Sequence, residues 1–335
     1  MLPPTAPTPA PVSGQDGPVT ESFVSIVARR TRYVLAIAIC AYLYYTIGWR
    51  LVSATQTPGL ATAALFQGSI VGGVIAAIGL LVLLLVGMAI GEALAHPDVP
   101  HMGLYCACLG LAALVIRGGS IQLMAREAQV NNHTGALFAG FAMESVVWLV
   151  ILLALDAASL WIFSRFFNNV KWLKRFGSSP NTPDVLLAHP IYNTLIDISL
   201  PTVQKTAAKH NPLFSSLGAL AVTSIVGTAL LFVFARTELI GQTLFACIIS
   251  FGVAGFAAQR FFPRAGTWAV WAGVCTAAVA AFLIAGQFAF PFPGHIGFPP
   301  ARCLPMDYVA AGIPGAILGY YSGLRWRIHS LVHEQ

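Results

Sequence analysis

Two acidic residues, Glu144 and Asp156, stand inside one long apolar stretch, Ala139–Ile162. A charge at the centre of a bilayer costs roughly 2.5–3.5 kcal/mol or more, so an ionisable residue there marks an ion path, a proton relay or a paired contact. Their separation in sequence sets them about 18 Å apart along a helix axis and about 120° around it, so they cannot form one carboxylate pair. They suit two chemistries. One is a pair of proton or cation stations along a single helix. The other is anchoring, with Glu144 hydrogen-bonded to a neighbouring helix and Asp156 paired with a basic loop residue such as Arg165.

A second constellation is Glu92, His96, Asp98 and His101, followed by Cys106 and Cys108. Carboxylate, imidazole and thiolate are the ligand types of zinc and other late first-row metals. A helix continuing past Gly91 puts Glu92 and His96 at i and i+4 on one face. Against a metal, Pro97 and Pro100 make His96–His101 an extended turn, and neither CxxC nor HExxH spacing occurs. The stretch therefore also reads as a polar turn between helices, and the sequence assigns no cofactor. The other histidines are expected in loops and in the tail, so the buried His pairs of a membrane haem are not expected. Five of the six cysteines lie in apolar stretches and Cys303 in a loop, so the expectation is a packed or free Cys303 thiol and no disulfide.

The elements that must carry these groups follow from composition. Of 335 residues, 57% are hydrophobic and 9% charged, whereas a soluble domain carries about a quarter charged. That excludes a soluble globule, and it excludes a disordered, collagen-like or disulfide-scaffold chain as well. The fold class expected is all-α, a polytopic membrane helix bundle. Apolar stretches long enough to approach the ~30 Å hydrocarbon core number eight: Tyr33–Trp49, Gly68–Gly91, Met102–Ile116, Ala139–Ile162, Leu213–Phe234, Ile240–Gln259, Thr267–Phe288 and Tyr308–Leu324. The third is short, and its helix is expected to run on through Ile121–Val130. With the N-terminus in the cytoplasm, 13 of the 18 Lys and Arg fall on the inner side, so positive loops place both termini inside. The net charge of +6 then belongs to loops facing anionic lipid rather than to a nucleic-acid surface.

The chain divides accordingly. Residues 1–32 read as a disordered Pro-rich cytoplasmic tail ending in the basic cluster Arg29–Arg32. Residues 33–162 form a first four-helix half and 163–212 a cytoplasmic interfacial loop. Residues 213–324 form a second half and 325–335 a short tail. In the last span, Ala311, Gly315, Gly319 and Gly323 place a small residue at every fourth position, a stripe that lets a second backbone approach closely. Pro314 beside it withdraws one helical N–H. The Phe/Pro-rich outer loop 289–305 has one charge, Arg302. It is expected to fold back over the bundle, lie in the interface or dock another membrane subunit.

No phosphate-binding, dinucleotide, kinase or hydrolase signature occurs. The reading that leads is a transporter or channel for a small solute or ion, in a membrane of the bacterial inner type. The alternative is an accessory or scaffold subunit that meets other membrane subunits through the glycine stripe and the outer loop. An enzyme working around Glu92–His101 ranks behind both.

Overall fold

The structure, a computed structural model, describes residues 23–53, 70–95, 101–119, 121–169, 212–263, 265–288 and 296–333. Among these the chain is all helix, with no strand. Helix α1 (Phe23–Leu43) passes through a π-turn, Tyr44–Gly48, into Trp49–Ser53. Then follow α2 (Ile70–Ala95), α3 (Met102–Arg117), the short α4 (Ile121–Val130) and the long α5 (Thr134–Asn169). Next come α6 (Pro212–Phe234), α7 (Ile240–Phe261) and α8 (Thr267–Ala285). Last is α9 (Ile313–His333), entered through Pro305–Asp307 and a second π-turn, Tyr308–Gly312.

Every stretch expected to span is helical, and six helices are long and apolar enough to cross a bilayer. Their windows are Thr31–Val52, Ile75–Leu94, Thr134–Ser159, Leu213–Phe234, Ile240–Phe261 and Thr267–Ala285. The protein is thus an all-α membrane bundle. The two others differ for physical reasons. Helix α3 has 16 residues, about 24 Å at 1.5 Å per residue. Helix α9 runs on into the polar sequence Arg325–His333.

Three boundaries depart from the sequence reading. Helix α1 begins at Phe23, inside the stretch taken as tail, because no proline or glycine interrupts Phe23–Arg32. The third helix does not run on. Gly118 takes an extended conformation and closes α3 by donating its N–H to the Val115 carbonyl, so α4 is a separate helix. Helix α5 continues to Asn169, well past Ile162. Residues 1–22, 170–211 and 289–295, with the calls made on them, lie outside the described residues.

Helix α8 is the axis of the bundle. Of its window 67% is buried, against 22% for each of α1 and α6. Around it Trp271, Phe282, Phe138, Phe251 and Tyr308 are fully enclosed. The rings of Phe138, Phe141, Phe282 and Tyr308 pack edge-on, tilted or stacked in one run. The faces of α1 and α6 away from this core carry exposed Val34, Tyr42, Leu213, Phe214 and Ile225, as lipid contact requires.

Small residues set the close crossings. A Cβ on Gly315 would lie 2.5 Å from the Ile248 carbonyl oxygen, and one on Gly319 would meet the Gly252 carbonyl and the Phe256 nitrogen. The stripe of α9, including Gly323 against Gln259, is therefore filled by α7 of the same chain. This corrects the expectation that the seam serves another subunit. A seam apolar enough to attract a partner helix in lipid has found one four residues of loop away from its own α8.

Candidate functional site

The link between α2 and α3 builds the inner site. A Cβ on Gly91 would lie 2.8 Å from the Gly103 Cα, and one on Gly103 would lie 2.6 Å from the Met88 carbonyl oxygen. With no side chain at either crossing, the two helices close to backbone contact. Glu92, at the end of α2, then reaches across, and its Oε1 accepts the Gly103 N–H at 3.2 Å. That bond satisfies one of the free N–H groups that begin any helix and sets a carboxylate at the positive end of α3.

His101 stands at the N-cap of α3 with φ 62° and ψ 14°, the left-handed region that side chains other than Gly and Asn rarely adopt. Such a conformation persists only where its surroundings impose it. Here they are two bonds. The His101 carbonyl accepts the Tyr105 N–H at 3.0 Å, and His101 Nδ1 lies 2.9 Å from Asp156 Oδ1 on α5. A carboxylate only accepts, so Nδ1–H is the donor. Glu92, His101 and Asp156 are 4%, 1% and 3% exposed, so water screens this cluster little. Burial acts to lower the imidazole pKa. The Asp156 carboxylate, by charge and hydrogen bond, together with the Glu92 charge, outweighs it and raises His101 above its usual 6.5. The Tyr321 ring of α9 stands within electrostatic reach of both carboxylates.

The sequence-predicted residues divide as follows. Asp156 is paired, and its partner is His101 rather than the basic loop residue expected. Glu144 is buried on the same helix and accepts a hydrogen bond from Trp148 Nε1 at 3.3 Å. The two acids stay apart, as their helical spacing requires. Of the four metal candidates, Glu92 and His101 join the cluster, while His96 and Asp98 lie outside the described residues. Among the described residues no group of three His, Cys, Asp or Glu side chains is set to hold a metal. Gly103 and Tyr321 were missed. The signal for Gly103 was available, since Gly91 and Gly103 stand at matching heights across a short link.

The opposite end of the bundle carries a different cluster. Arg302, in the turn Pro299–Arg302, donates Nε–H to the Ile296 carbonyl at 3.0 Å. Its Nη1 reaches the carbonyls of Ala235 at 3.1 Å and Arg236 at 2.5 Å. Its Nε is 3.5 Å from Glu238 Oε1, and Glu238 Oε2 accepts from Gln122 Nε2 on α4 at 3.1 Å. The described part of the outer loop, 296–304, is thereby drawn onto the bundle, with Ile296, Ala301 and Cys303 fully buried. Phe298 packs against Phe232 and Phe288, and Tyr308 Oη donates to the Pro300 carbonyl at 2.8 Å. Beside it, the Arg117 guanidinium lies 4.4 Å over Tyr45 and 4.8 Å over Trp49, close enough for cation–π attraction.

Comparison of the chain with known protein families, curated proteins and solved structures returns no match. What the site does is therefore argued from its own chemistry.

Proposed function

We propose that the protein is an integral membrane transporter that moves a small solute or ion in step with protons. In this reading it has eight spans with both termini in the cytoplasm, in a membrane of the bacterial inner type. Asp156, His101 and Glu92 form the proton station at the inner end of α5, and Glu144 is a second station farther out on that helix. One observation carries the reading. Three titratable side chains from α2, the α2–α3 link and α5 are brought together in a place that water barely reaches. Static packing gains nothing from such a group, because a buried ion pair seldom repays its desolvation relative to apolar side chains of the same volume. Titratable groups inside membrane proteins are the usual carriers of protons.

The accessory-subunit reading loses its main surface, because α7 fills the glycine seam. It keeps the exposed apolar faces of α1 and α6, which lipid covers equally well. Everted vesicles containing the protein, energised to an acid interior, separate the two. Adding a panel of monovalent cations, amines, carboxylates and sugars one by one should release protons for at least one compound, and Asp156→Asn should abolish that release. Silence across the panel, with stoichiometric co-purification of another membrane protein, would favour the accessory role instead.

A further inference from the structure

Cys303 was expected to stand alone at the outer end, and the structure gives it a neighbour. Cys247 lies two helical turns into α7 from Ile240. The loop that follows α8 dips to meet it, so that the two thiols are in hydrogen-bond contact. Both residues are fully buried. The loop residues around them are fixed: Arg302 binds three carbonyls, and the Leu304 N–H is held by Asp307 Oδ2 at 2.8 Å. Tyr308 holds the Pro300 carbonyl from the next turn. Two cysteines distant in sequence are thus held thiol to thiol by contacts that do not involve sulfur.

We propose that Cys247 and Cys303 are joined by a disulfide that fastens the loop 296–304 to α7. A metal is the other ligand such thiols would take, and no suitable trio including the nearby Asp307 exists among the described residues. The loop charges place this end outside the cytoplasm, where disulfides form and persist. The remaining cysteines, Cys40, Cys106, Cys108 and Cys275, are buried in α1, α3 and α8.

The oxidant is a disulfide-bearing thiol oxidoreductase on the outer side. One thiol of the pair, as thiolate, attacks the oxidoreductase disulfide and forms a mixed disulfide. The second thiolate then displaces the oxidoreductase sulfur, closing the Cys247–Cys303 bond. Two electrons and two protons pass from the pair, and the oxidoreductase leaves as a dithiol. Because both sulfurs are enclosed in the finished fold, the exchange takes place while the loop is still being laid onto the bundle.

The test counts thiols on the full-length protein. Membranes are quenched in acid, denatured in detergent and treated with a maleimide–polyethylene glycol tag, with and without prior reduction. The chain has six cysteines, so the expected result is four tags without reductant and six with it, and a cross-linked peptide pair containing Cys247 and Cys303. In Cys303→Ser the expected result is five tags under both conditions. The wild-type count needs no variant to fold. Six tags without reductant, or a cross-link joining any other pair, overturns the proposal.

Discussion

The two ends of the bundle hold the same kinds of group in opposite arrangements. At the outer end Arg302 is tied to three backbone carbonyls and Glu238, and a guanidinium keeps its charge at any physiological pH. That cluster is a latch, holding the returning loop against α4 and the α6–α7 connection whatever the conditions. At the inner end the cation is an imidazole held between two carboxylates, and its charge is conditional. One end is built so that nothing titrates, the other so that something does. The difference assigns fastening to the outer cluster and proton handling to the inner one.

The comparison is broken most severely at Asp156. Asp156→Ala leaves His101 and Glu92 buried without their partner, and such a loss costs about 3–5 kcal/mol, read as a lowered midpoint in detergent unfolding. The outer counterpart is milder. Arg302→Ala frees four acceptors near the interface and should cost about 2 kcal/mol, while solute-coupled proton movement stays within twofold of wild type. Equal loss of transport in both variants would erase the distinction between the ends.

Gly103→Ala sharpens the account of how the inner site is built. Its new Cβ runs into the Met88 carbonyl and the Glu92 side chain, so the expected cost is about 1–3 kcal/mol with a weakened response to pH. The smallest effect is the pH dependence itself. His101 has a folded pKa raised above 6.5, so its contribution is complete below pH 6.5 and is lost as pH rises through the raised value. Stability should therefore fall in that window by no more than about 1.4 kcal/mol per pH unit, and His101→Asn should flatten the slope. A slope that survives this substitution assigns the titration to another group.

Much of the fold was legible because lipid imposes simple rules. Long apolar stretches become helices, since every backbone polar group must be satisfied within them, and each of the eight expected stretches is helical. The stripe Ala311–Gly323 was legible as a close crossing for the same kind of reason, although only the structure shows that α7 fills it. The pairings were not legible. Asp156 and His101 are separated by all of α3 and α4, and nothing in local spacing brings α5 beside the α2–α3 link. Cys303 and Cys247 meet because an outer loop returns into the bundle, and the composition of the loop permits that without fixing which residue it meets. Periodicity reports what one helix presents, whereas a site made by three segments depends on how they cross.

The central claim is that the inner cluster carries protons and the outer one does not. It is tested most directly in proteoliposomes loaded with pyranine, following internal pH when the active compound from the vesicle panel is added. The account predicts solute-dependent pH change with wild type and with Arg302→Ala, and none above empty liposomes with Asp156→Asn. An Asp156→Asn protein that moves protons as fast as wild type would contradict it.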